Sequence, residues 1–221
     1  GLFKKLIKED MKESLGVTEP GAIALAVSKA KSLADGDIKK VIVSENSGIY
    51  KNSFTCGIPN TAETGNLFAA ALGAVAGDWT KGLLSLDHIE EKDIKAASAL
   101  IEDGKVFVNL DSITSDLYIS ATVETEKDTV EVIIRDFHTN IAKIIKNNEV
   151  IFEANKMEEK KEKSPIIEYT LKDFYSYIDS VDINNIKFME EAYKVNQELM
   201  KAGLDSDRCL ICRELLKEND D

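Results

Sequence analysis

The sequence predicts an α+β protein: helices packed with antiparallel β-hairpins, as a single large domain or two closely packed subdomains. Three observations carry this. Leu117, Ile119, Ala121 and Val123 alternate with Tyr118, Ser120 and Thr122. After a charged turn near Lys127-Asp128, Val130, Val132 and Ile134 repeat the alternation. A period of two over paired segments is a hairpin with one face on a core. Ala22 to Val27, with Ala30, is apolar nearly all round, as a buried helix is. Phe188, Ala192, Val195 and Leu199 stand at helical spacing and mark the longest helix, starting at Asp182 and closed by Gly203.

The remaining elements follow in order. Leu2, Phe3, Leu6, Ile7 and Met11 form one stripe of a first helix over residues 2–14, which Leu15-Gly16 ends. Glu19-Pro20 opens the buried second helix, with Pro where its missing N–H costs nothing and Thr18 or Glu19 as cap. Residues 38–44 read as a strand, and residues 49–54 as a second one after the turn residues 45–48. Residues 65–77 read as a small-residue helix that admits a neighbouring backbone very closely. A helix over 89–101 and a short strand over 106–108 precede the hairpin. Residues 141–145 and 150–152 fit either a third strand region or a short helix and a strand. Thr170, with Asp173 three residues later, caps a helix over 170–177. Asp205 or Ser206 caps a last helix through Leu216. The domain reading is an α+β core over 1–155, a charged linker over 156–165 and a helical segment over 166–221.

The chain has 221 residues, 28 Lys and Arg against 40 Asp and Glu, and a formal net charge of -12. That length buries a real core without staples. The acidic balance argues against a nucleic-acid surface and against charge-driven membrane binding. No stretch is long and apolar enough to span a bilayer. Three cysteines, Cys56, Cys209 and Cys212, do not make a disulfide framework and fit a reducing, cytoplasmic compartment. Cys209 and Cys212 form a C-x-x-C that no second pair completes as a zinc site.

Three loops hold the groups suited to chemistry. Residues 16–20 lie at a helix start, where free N–H groups favour an anion and Thr18 adds a hydroxyl; a simple cap explains them too. Residues 44–52 are dense in directed hydrogen-bonding groups, with Lys51 as a point charge for a carboxylate, although a polar hairpin is the plainer reading. Residues 56–65 precede the small-residue helix. They lack the Gly-Lys-Ser/Thr of a phosphate loop and the glycine spacing of a dinucleotide site. His138, with Asn140, offers a base or a loop-fixing hydrogen bond.

These loops together resemble the iron–sulfur L-serine dehydratase alpha-type and L-cysteine desulfidase superfamily, in its amino-terminal half. Gly16-Val17-Thr18-Glu19-Pro20 is similar to that family's Gly-Cys-Thr-Glu-Pro. Ser47-Gly48-Ile49-Tyr50-Lys51-Asn52 is similar to its Gly-Asn-Ile-Tyr-Lys-Asn. Gly57-Ile58-Pro59-Asn60-Thr61, with Gly65 and residues 69–73, resembles its Gly-Ile-Pro-Gly-Thr and following helix. Thr125-Glu126, Ile134-Arg135 and His138-Thr139-Asn140-Ile141 resemble the segment closing its hairpin. Enzymes of this family are lyases that use a [4Fe-4S] cluster held by three cysteines, and the resemblance implies pyruvate and ammonia as products, with sulfide from cysteine. Here Val17 stands at the motif cysteine, and the glycine- and serine-rich region with the other ligands is missing. The resemblance therefore implies no cluster on this chain alone. It implies instead a domain that binds a small amino acid or another anion through Thr18, Asn46, Ser47, Lys51, Asn52, Thr61 and His138. The alternatives are one part of a [4Fe-4S] lyase completed by another chain, and a structural or subunit-interaction module. A homo-oligomer or a complementary chain is the implied macromolecular partner.

Overall fold

The computed structural model describes residues 1–11, 18–154, 165–206 and 211–218. The chain divides into two compact units, Ser14–Met157 and Gly1–Glu13 together with Glu158–Asp221. The first helix, α1 (Leu2–Asp10), falls in the second unit, with the carboxy-terminal helices rather than with the sheet.

The sheet unit is α+β, as its periodicities predict. It runs α2 (Thr18–Leu33), β1 (Ile38–Asn46), α3 (Ser47–Ser53), α4 (Asn66–Val75), a 3-10 segment (Trp79–Leu84) and α5 (Glu91–Glu102). Then follow β2 (Val106–Ser112), β3 (Tyr118–Thr125), β4 (Thr129–Arg135), β5 (Ile141–Lys146) and β6 (Glu149–Glu153). The six strands form one sheet in the order β2-β1-β3-β4-β5-β6. The open alternative at residues 141–152 is settled as two strands, joined by Asn147-Asn148. Both residues have positive φ, 51° and 70°, the combination that a two-residue hairpin turn requires and Asn tolerates.

The alternation seen in the sequence separates the two faces of the sheet. Val41 pairs with Val123 and Val43 with Ala121; Ala121 then pairs with Val132 and Val123 with Val130. All six are fully buried beneath α2, which packs across β3 and β4. The other face is mixed: Ser120 pairs with the buried Ile133 and donates to Glu131 at 2.6 Å, and the Lys40 ammonium lies 4.8 Å from the Phe107 ring centre. α4 packs on α2 and α5 on α4. Gly73 lets the first of these pairs close: a Cβ there would stand 2.9 Å from Ala24 Cα. The small residues of α4 thus serve close helix contact, as expected.

One expectation is corrected and the sheet gains one feature. Residues 49–54 are helical, not a strand: Ile49 and Ser53 are both buried one turn apart, and Ser53 Oγ donates to the Ile49 carbonyl at 2.7 Å. The hairpins are antiparallel, but β1 and β2 pair in parallel, so the sheet is mixed. Parallel neighbours need a long crossover, and this one carries α3, α4 and α5. It therefore contains two of the three polar loops.

In the second unit, α6 (Leu171–Ser180) begins with the expected capping box, in which Asp173 accepts from the Thr170 backbone N–H at 2.7 Å. The long helix is split into α7 (Ile183–Ile186) and α8 (Met189–Asp205). Asp182 caps α7 by accepting from the Asn184 N–H. α8 continues through Gly203, so that glycine does not close it. The last helix is α9 (Ile211–Glu218). Among the described residues no helix is long and apolar enough to cross a membrane.

Candidate functional site

A hydrogen bond joins the first turn of α2 to the last turn of α3. Asn52 Nδ2 donates to Glu19 Oε1 at 2.9 Å, and the Thr18 hydroxyl lies 3.5 Å from Glu19 Oε2. Glu19 is buried, while Asn52 and its sequence neighbour Lys51 are exposed. A carboxylate in the first turn of a helix also sits favourably in the helix dipole. Cys56 follows on the same loop, and its thiol donates to the Asn52 carbonyl. Burial and then the negative charge of Glu19 push this thiol up in pKa, so it stays protonated.

A second buried carboxyl holds the layer beneath. Glu45 occupies the inward position that follows Val41 and Val43 along β1, and it is fully buried. Its Oε2 accepts from Ser53 Oγ and from Asn66 Nδ2, both at 3.3 Å, which ties α3 and the start of α4 to the sheet. Its Oε1 has no partner among the described residues. Burial raises the Glu45 carboxyl to about 7, against the lowering effect of the Asn66 and Ser53 hydrogen bonds. At the same place Gly65 has φ 92°, and a Cβ on it would stand 2.8 Å from the Phe54 carbonyl oxygen. No residue with a side chain fits this junction without displacing the chain.

The expected site residues fall into three groups. Thr18 and Asn52 meet at Glu19, at the α2–α3 junction, and Lys51 is the exposed residue before Asn52 in α3. Asn46 and Ser47 lie at the end of β1 and are engaged there: Asn46 Nδ2 donates to the Thr114 carbonyl at 3.1 Å, Asn46 Oδ1 accepts from the Tyr118 N–H, and Ser47 Oγ lies 3.4 Å from the same Thr114 oxygen. Thr61 is turned into its own loop, donating to the Ile58 carbonyl and accepting from the Glu63 N–H. His138 lies in the β4–β5 turn, half-buried, with Nε2 buried and unpartnered among the described residues. Pairing of Glu45 with Ile119, and of Ile119 with Ile134, places that turn at the same end of the sheet as Glu45, about 10 Å across two strand spacings. Among the described residues no hydrogen bond joins His138 to the other candidates, so it shares the end of the sheet and not the hydrogen-bonded cluster.

Sequence reasoning had Glu19 only as a helix cap and missed Glu45, Ser53 and Asn66. For Glu45 a signal existed: it is a charged residue at an inward position of an otherwise apolar alternation. A cavity of about 250 Å³ lies elsewhere, between α4 and α5, lined by Leu67, Phe68, Ser98, Ile101 and the ends at Thr64 and Glu102.

The donor set of the described residues does not match an iron–sulfur cluster. Such clusters need converging thiolates. Cys56 is the one cysteine side chain among the described residues, and no group of three His, Cys, Asp or Glu is placed to hold a metal among them. Val17, Cys209 and the Cys212 side chain lie outside what the structure describes.

No family profile and no solved structure matches the chain. Curated relatives do match along most of it. A UPF0597 protein of Caldanaerobacter subterraneus is 36% identical over 210 residues, which is 93% of this chain and 49% of that protein. One of Clostridium tetani is 34% identical over 225 residues, covering 100% of this chain and 53% of the relative. One of Clostridium botulinum is 33% identical over 208 residues, 90% of this chain and 48% of the relative. The chain spans about half the length of these relatives, and along nearly all of its own length it is homologous to proteins named UPF0597.

Proposed function

We propose that the sheet unit binds a small zwitterionic amino acid at the α2–α3 junction, as a serine dehydratase alpha-like or cysteine desulfidase-like domain without a cluster of its own. The observation that carries this reading is the Asn52–Glu19 bond. The reading draws on the buried Glu19 carboxylate, the Thr18 hydroxyl 3.5 Å from it and Asn52 bonded to it, with the exposed Lys51 next to Asn52 in the chain. A carboxylate has lone pairs beyond those that Asn52 and Thr18 use, so Glu19 can accept from a ligand ammonium. Lys51 and the exposed Asn52 amide suit the ligand carboxylate. His138 in the β4–β5 turn has a buried Nε2 without a partner among the described residues and is a further candidate donor or acceptor.

The test is thermal stabilisation of the folded chain by L-serine and L-cysteine, with acetate and methylamine as single-charge controls. The reading expects a concentration-dependent rise in Tm with the amino acids that exceeds that with either control, and loss of that rise in Asn52→Ala. No shift with any amino acid removes it. A second reading, one part of a [4Fe-4S] lyase completed by another chain, draws on the length of the UPF0597 relatives. Its test is anaerobic reconstitution of the chain with iron and sulfide, alone and with such a partner. Visible charge-transfer absorbance only in the mixture is the expected result.

A further inference from the structure

The two units differ in how well they bury themselves. In the sheet unit the inner faces of β1, β3 and β4 are fully buried. In the helical unit no described residue is buried. α6 is satisfied on one side only: the Phe3 ring of α1 lies 5.3 Å from that of Phe174 and 5.0 Å from that of Tyr177. On its other side Leu171, Tyr175 and Ile178 stand at i, i+4 and i+7, and they are 71%, 63% and 65% exposed. α8 carries a like stripe in Met189, Tyr193 and Met200, at i, i+4 and i+11, which are 41%, 66% and 43% exposed. Helices of this length hold in water through a packed apolar face rather than through propensity. Contiguous exposed apolar stripes mark a contact surface.

We propose that the outward stripe of α6, with that of α8, docks the half of the UPF0597 sequence that this chain does not span, in the same chain or in a separate one. Two observations select this occupant. The match to the Clostridium tetani relative covers 100% of this chain and 53% of the relative, so counterparts of α6 and α8 stand there beside about as much polypeptide again. Within one chain that polypeptide is present at high effective concentration. A second copy is the poorer occupant, because it would bring a net charge of -12 against -12. The proposal goes beyond the amino-acid reading and does not depend on it.

The experiment co-produces the full chain with the part of the Clostridium tetani relative that lies outside the match, and measures mass by size-exclusion with light scattering. A 1:1 complex is expected, weakened at least tenfold by Tyr175→Glu or Ile178→Glu and unchanged by Ser176→Glu on the polar side of α6. Hydrogen exchange on the unmodified chain supplies a readout free of folding defects in the variants: protection on adding the partner is expected within residues 171–200. Absence of a complex overturns the proposal. So does a complex indifferent to both variants with no new protection there, or a homodimer of this chain that the same variants dissolve. Amino-acid binding is measured on the chain alone, so either reading can fail without the other.

Discussion

Glu45 is a carboxyl without solvent, sharing one oxygen between Ser53 and Asn66 and leaving the other without a donor among the described residues. Its position follows from the two-residue period of β1, and its role was not legible, because a charged letter on an inward position does not say which loops will close over it. Its pKa stands at about 7 in the folded chain, above the 4.5 of an ordinary glutamate. The folded state therefore holds the proton more tightly than the unfolded one. Stability from this group is complete below pH 4.5 and is lost as the pH rises through 7. Glu45→Gln should remove that loss, and urea midpoints at pH 5 and pH 8 check it. The variant is expected to gain relative to the parent at pH 8, by about 3 kcal/mol at most, and to show little gain at pH 5. Asp128 has the opposite sign. Its carboxylate accepts from the Asp35 N–H, Asn147 Nδ2 and Lys146 Nζ, which lower it to about 2. Its contribution is present above 3.8 and disappears as the pH falls through 2, so Asp128→Asn should flatten the acid limb of the stability profile between those values.

Elements were legible where a period ran long enough to be read. The β3–β4 hairpin and α2 follow from residues visible in the sequence alone. α3 did not, since seven residues with Ile49 and Ser53 inward look the same at period two and at period four. The parallel β1–β2 pair was hidden for another reason: the partners are separated by the whole crossover, and nothing local encodes a distant register. The small residues of α4 did announce their use. Gly73 lies against the α2 backbone, with Val27 Cβ 3.2 Å from where its own Cβ would be. Gly73→Val should separate α2 from α4 at a cost of roughly 1–3 kcal/mol or somewhat more, read as a lower urea midpoint with unchanged slope. A midpoint equal to that of the parent would show that the two helices are free to move apart.

Over the whole molecule, charge and chain length limit the role more than any motif does. A net charge of -12 disfavours nucleic acid, and the polar segments 44–52 and 56–65 each set one residue, Ile49 and Ile58, into the core. The candidate site was half legible for the same reason that loops are hard to read: polarity marks a residue as able to bond, and only the fold selects its partner. Asn46, Ser47 and Thr61 bond the chain's own backbone, whereas Asn52 and Glu19, far apart in sequence, bond each other. The amino-acid reading rests on that last pair. Calorimetric titration of the full chain with L-serine and with L-cysteine tests it most directly, using the parent, Asn52→Ala and Glu19→Gln. The account predicts saturable heat at one ligand per chain in the parent and at least tenfold weaker binding in both variants; folded parent protein that gives no heat with either amino acid would contradict it.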